Sequence, residues 1–234
     1  MNSSEILTTL FLSIRIGVIA TALNLPLALI LVYWMTRHDF RGKNLLDGLI
    51  NLPLVMPPVT PGYLLLLILG KRGWIGSIFF SLFGLRIAFT TAAAVIASMV
   101  VSFPLIVRSI RISMEMVDPR LEKAALTLGA DRKAVFFRIT LPLVIPGVIN
   151  GVVLGFARSL GEFGATVTFA GNIQGITRTI PLSVYSLLQV PGRENEAGLL
   201  VLFSILISFA AMFASAFLNS KLQKGRHKQH ESSF

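Results

Sequence analysis

The sequence predicts an all-α membrane protein, a polytopic transmembrane bundle of about five spanning helices with one short helix on its cytoplasmic surface. Three observations predict it. The 234 residues are 54% hydrophobic and 14% charged, whereas a soluble domain carries about 25% charged residues. Five windows are apolar and uncharged over the roughly 20 residues that cross a hydrocarbon core. The 21 Lys and Arg outnumber 11 Asp and Glu and sit beside those windows, so the net charge of +10 reflects membrane-flanking loops and not a nucleic-acid surface. With no Cys, a disulfide scaffold and a thiolate metal site are excluded.

The first window, Ile16 to Met35, ends in Tyr33 and Trp34, aromatics suited to a headgroup boundary. Met1 to Glu5 has no basic n-region, so the first helix is expected to be a permanent span. The second, Leu49 to Leu69, carries Pro53, Pro57, Pro58 and Pro61 and cannot be a regular helix throughout. Broken backbone at membrane depth must be buried in protein or face a cavity, so this span is expected to face a protein interior and not lipid; a kinked lipid-facing helix is the alternative. The third is Ile87 to Val107, the fourth Ile139 to Ala157 and the fifth Gly198 to Ser220. Phe163 to Ile173 and Ile180 to Val190 are apolar but too short to span, and read as re-entrant or interfacial pieces.

Fourteen of the 21 basic residues follow spans one, three and five, from Arg37 through Arg108 and Arg111 to Lys228; five lie on the other side. That asymmetry predicts an external N-terminus and a cytoplasmic C-terminus. Residues 9–218 are expected to form one membrane domain, and residues 219–234 a basic cytoplasmic tail.

The loop between spans three and four, Asp118 to Pro142, is the most informative segment. Asp118 and Pro119 make a helix start, a capping side chain followed by proline at the first helical position. Leu121, Ala124, Ala125 and Leu128 recur at helical spacing, and Gly129 supplies a left-handed stop. Asp131 can cap a second turn that brings Phe136 and Phe137 towards the bilayer, and Pro142 falls in the first turn of span four. Small side chains let a partner approach the backbone closely; an amphipathic helix lying on headgroups is the other reading.

This loop resembles the EAA loop of ABC importer permeases, in which Glu-Ala-Ala is followed by a glycine and then by Ile-x-Leu-Pro. Ala124, Ala125, Gly129, Ile139, Leu141 and Pro142 match in identity and spacing. One position departs: Lys123 stands where the motif has its glutamate, and Glu122 comes one residue earlier. The stretches Leu52 to Leu66, Phe156 to Ile173 and Thr177 to Tyr185 are similar to the molybdate branch of the family in particular. The resemblance implies a homodimer of permease chains in the bacterial inner membrane and two cytoplasmic ATP-binding subunits on its loops. It also implies a periplasmic protein that delivers the oxyanion. Tungstate, sulfate and thiosulfate are tetrahedral dianions as well and stand behind molybdate.

No G-x-x-x-x-G-K-[ST] occurs, since Gly42-Lys43 and Gly70-Lys71 lack its remaining residues. ATP and Mg²⁺ are therefore expected in a partner, this chain is expected to bind no cofactor, and no catalytic residue is assigned. His38, His227 and His230 show no metal-ligand spacing. Gly147, Gly151 and Gly155 form a small-residue stripe, more often used for packing within one subunit than between two.

Arg158 and Glu162 stand four apart and can pair, and Gly161 and Gly164 bracket Glu162 and Phe163. This corner reads as a constriction in the translocation path, against an interfacial helix end with a snorkelling Arg. A carboxylate would repel an oxyanion, so Glu162 must be neutralised by Arg158 or point away. Thr166, Thr168, Thr177 and Arg178 offer donors better suited to an anion. An ion-coupled secondary transporter, the competing class, would be expected to show inverted repeats and intramembrane acids, and neither pattern is present.

Overall fold

The computed structural model describes residues 3–231, all in helices and their connections. The elements are α1 (Ser3–Arg37), α2 (Lys43–Val55), α3 (Val59–Leu69), α4 (Trp74–Phe83), α5 (Thr91–Glu115), α6 (Pro119–Thr127) and α7 (Arg132–Val135). A π-turn at Phe136–Thr140 leads into α8 (Leu141–Leu160), followed by α9 (Gly164–Phe169), α10 (Ile180–Leu188) and α11 (Glu194–Glu231). Among the described residues four helices are long and apolar enough to cross a membrane, and α2 with α3 makes a fifth span if the bent pair is taken as one.

The bend is 114°, and the sequence dictates where it falls. Pro57 has no N–H and pushes the residue before it out of the α region; Met56 is accordingly extended, at φ −66° and ψ 147°. The expected break in span two is thus localised to residues 56–58.

α1 buries Thr9, Ser13, Ile16, Ala20, Asn24, Ala28, Val32 and Met35 along one face, a helical stripe of small, polar and apolar residues. Its other face, including Phe11, Val18, Leu27 and Ile30, is exposed, the reverse of a soluble helix. Asn24 fastens α1 to α5: its Nδ2 donates to the Met99 carbonyl at 2.9 Å and to Ser102 Oγ at 3.1 Å. The core has two parts. One joins Leu12, Ile16, Ala93, Ala97 and Phe169; the other, towards the α6 end, joins Val32, Met35, Ile106, Ile110 and Val144.

Gly147, Gly151 and Gly155 pack within the chain. A Cβ on Gly147 would lie 2.6 Å from Ser113 Cβ, and one on Gly155 would lie 2.5 Å from Ile106 Cδ1. Ser109 Oγ donates to the Gly147 carbonyl at 2.9 Å across the same contact. α11 packs against α8 and α10, but only 11% of its most apolar window is buried, leaving a long apolar face for lipid or another chain.

Several boundaries differ from the sequence expectation. α1 begins at Ser3, because Arg15 sits exposed on its flank and does not interrupt the helix. α5 runs on to Glu115, so Arg108 and Arg111 lie on its last turns and not in the following loop. Arg111 is held there by Asp47 of α2 and by Glu115, both at 2.7 Å. α4 falls between the second and third apolar windows: ten residues between Gly73 and Gly84, apolar but for Ser77 and Ser81, and too short for a spanning window. The apolar piece at Phe163 to Ile173 is helical only to Phe169, and Gly171, at φ +76°, follows its end. α11 takes in much of the segment expected as a tail.

Candidate functional site

The loop after α5 folds as its punctuation dictates. The Asp118 side chain accepts from the Arg120 N–H at 2.9 Å, and Pro119 opens α6. Gly129 sits at φ +89°. The Ala130 N–H donates to the Ala125 carbonyl and the Gly129 N–H to the Leu126 carbonyl, each at 3.1 Å, the paired bonds of a Schellman stop. Asp131 caps α7 by accepting from the Ala134 N–H at 2.9 Å. Phe136 then packs edge-on against Tyr33, with centroids 5.1 Å apart, while Phe137 is 62% exposed.

α6 has two unlike sides. Leu121, Ala124 and Leu128 are exposed and Ala125 is half-buried, leaving a face of apolar and small residues bare. The opposite side carries Glu122, only 8% exposed. Its carboxylate accepts Arg37 Nε at 3.0 Å and Arg37 Nη2 at 2.9 Å, a bidentate charge-assisted pair. It also accepts the Thr140 hydroxyl at 2.6 Å. One side chain therefore ties α6 both to the end of α1 and to the π-turn that starts α8. Ile139, Leu141 and Pro142 lie along that π-turn and the first turn of α8, so the motif's two halves meet through Thr140 and Glu122. Lys123, at the departing position, is exposed.

Arg37 and Thr140 were not singled out from the sequence. Arg37 is 85 positions from Glu122, and no local spacing reveals such a pair. Thr140 occupies the unspecified position of Ile-x-Leu-Pro, where a hydroxyl was the available signal. The π-turn precedes Pro142, which has no N–H for the Arg138 carbonyl; the Leu141 N–H reaches back instead to Phe136.

The second candidate cluster surrounds Glu162, 2% exposed. Arg158 Nη1 lies 2.7 Å from Glu162 Oε2, and Glu162 Oε1 accepts the Ala165 N–H at 2.8 Å. The acid is thus neutralised and caps α9. α9 and α3 touch through a glycine on each: a Cβ on Gly164 would fall 2.5 Å from the Pro58 carbonyl oxygen, and one on Gly62 would fall 2.5 Å from that of Ala165. The Gly-Glu-Phe-Gly corner therefore packs on the proline break of span two, and Phe163 meets Tyr185 of α10 at 5.2 Å.

The other donors are dispersed. Thr168 bonds to the Gly164 carbonyl. Thr177 closes its own loop by accepting the Ile173 N–H and donating to the Gly171 carbonyl. Arg178 donates to Asn172 at 2.9 Å. The Thr166 hydroxyl is buried without a hydrogen-bond partner. Among the described residues no group of three His, Asp or Glu is placed to hold a metal ion.

Residues 24–225 match the family described as binding-protein-dependent transport system inner membrane component. The chain is 51% identical over 213 residues to the molybdenum transport system permease protein ModB of Haemophilus influenzae, covering 91% of this chain and 93% of the relative. It is 50% identical over 207 residues to ModB of Escherichia coli K12, covering 88% of this chain and 90% of that one. It shares the fold of a chain in the crystal structure of a bacterial alginate ABC transporter in complex with alginate pentasaccharide-bound periplasmic protein. The TM-score there is 0.76 at 14% identity, over 95% of this chain and 81% of the other.

Proposed function

The chain belongs to the family of binding-protein-dependent transport system inner membrane components, and from that premise we propose that it is the membrane-spanning subunit of an ABC importer for molybdate. The single observation that carries the coupling role is α6, a helix bare and apolar on one side and tied on the other to two spans by Glu122. A force applied to the bare face reaches α1 and α8 without passing through a flexible loop. ATP is hydrolysed by cytoplasmic subunits docked on that face, with Mg²⁺ bound there. Two copies of the chain enclose the path, and a periplasmic protein delivers the anion at the opposite end.

The 14-to-5 distribution of basic residues supports a cytoplasmic α6 and C-terminus with a periplasmic N-terminus. Half-identity over nine-tenths of the chain to permeases named for molybdenum transport supports molybdate as the cargo. The corner at Arg158, Glu162, Phe163 and Gly164 constricts the path beside the break in span two, with Thr166 and Arg178 on its outer side. Residues 9–218 do the transport, and residues 219–234, which begin in the last turns of α11, are a basic tail.

Cells lacking their own molybdate permease, given this chain with its ATP-binding and periplasmic partners, should regain uptake of labelled molybdate. Excess tungstate should compete and excess sulfate should compete poorly. Uptake displaced equally well by sulfate would overturn the choice of cargo.

A further inference from the structure

At the α6 end of the bundle lies a groove of about 860 Å³ between α1, α6 and the turn from α7 into α8. One wall is apolar, with Ile30, Trp34 and Phe137. The rim is basic, with Lys123, Arg132 and Lys133. The acid lining the groove, Glu122, is engaged by Arg37 and Thr140, so it does not neutralise the rim. All three rim cations are exposed, and among the described residues no carboxylate lies within ion-pairing distance of them.

The apolar wall does not end at the groove. It continues along α1 through Ile30, Leu27 and Leu23, all exposed, so the groove opens from a basic rim into the surface that faces hydrocarbon. Trp34 stands at the junction, the place that interfacial aromatics take at headgroup depth. A soluble anion would satisfy the rim and leave the wall bare. A docked protein has its own surface on another side of α6, since at about 100° per residue Leu121, Ala124 and Leu128 project roughly 100–160° away from Glu122 and roughly 140–160° away from Leu126.

We propose that this groove binds an anionic phospholipid, its phosphate held among Lys123, Arg132 and Lys133 and an acyl chain laid along α1. Basic pockets between spans at the membrane surface suit such headgroups. The lipid touches α1, α6 and the start of α8, the three elements that Glu122 ties together, and so adds to the support of α6. Only the leaflet, the cytoplasmic one, rests on the orientation proposed above; the site itself requires no more than that the chain spans a membrane.

The test is lipid retention by the purified complex with its ATP-binding subunits, read by native mass spectrometry and by thermal melting. Phosphatidylglycerol should be retained and should raise the melting temperature, phosphatidylcholine should do neither, and millimolar inorganic phosphate should not displace the lipid. With each cation worth about a factor of five at an anionic surface, Arg132→Gln/Lys133→Gln should weaken phosphatidylglycerol retention about 30-fold. Arg41→Gln/Arg120→Gln removes the same charge from exposed positions that do not line the groove and should leave retention unchanged. Equal retention of the two lipids, displacement by phosphate, or equal losses in both double variants would overturn the proposal. So would loss of the ATP-binding subunits from Arg132→Gln/Lys133→Gln with its lipid retained, which would assign the rim to the partner.

Discussion

Glu122→Gln keeps the shape of the side chain and removes its charge, which makes it the sharpest probe of the tie between α6 and the bundle. The pair sits in a largely dry place, with side-chain exposures of 13% for Arg37 and 10% for Glu122. In the variant the amide turns its NH₂ either towards a guanidinium donor or towards the Thr140 hydroxyl, and one of the three bonds to Glu122 is lost outright. Breaking a buried pair by removing one partner costs about 3–5 kcal/mol, and the residual amide bonds bring the expected loss towards about 2–3 kcal/mol. α6 is nine residues long, and helices shorter than about 12–15 residues are marginal in water by themselves. A loss of that size is therefore enough to release it. The five spans need no help from Glu122 to insert, so membrane abundance should be normal while uptake and co-purification of the ATP-binding subunits fall at least tenfold. Arg37→Gln should give the same phenotype, and the double variant should be little worse than either single one, because both remove one shared interaction. Wild-type uptake by Glu122→Gln, or additive losses in the double variant, would refute the reasoning.

Gly129→Val should abolish coupling by strain alone. A Cβ there meets nothing within 4 Å, but φ +89° costs a β-branched residue about 1–3 kcal/mol; Gly129→Asn should retain most uptake, and equal losses in the two would point away from backbone conformation. Gly164→Ala should impair transport through the clash with Pro58, whereas Gly48→Ala, which has open space around it, should not; indistinguishable uptake rates would sink the close-packing argument. Reporter fusions at Lys224 and at Gly76 should give cytoplasmic and external signals respectively, and matching signals would contradict five spans.

The parts of this molecule legible in its sequence are those governed by local rules. Hydropathy located the spans, the four prolines of span two announced a break within it, and Asp118, Gly129 and Asp131 punctuated the loop at the residues where the caps and the stop are found. What stayed hidden depended on distance in the chain or on length. Glu122 reads as a surface acid until Arg37 is brought to it, and nothing near either residue advertises the other. α4 is half the length that a search for spans detects, and the continuation of α5 past Val107 was masked by Arg108 and Arg111, whose charges end an apolar window without ending the helix. At the second cluster the pairing of Arg158 with Glu162 followed from their spacing. The packing of Gly164 on Pro58 did not, because it joins two elements more than a hundred residues apart.

The most direct measurement is accumulation of labelled molybdate in proteoliposomes holding this chain with its ATP-binding subunits, with loaded periplasmic protein on the outside and ATP supplied inside. The account predicts accumulation that requires all of these components and persists when proton and sodium gradients are collapsed. Accumulation that follows an ion gradient and is indifferent to ATP would contradict it.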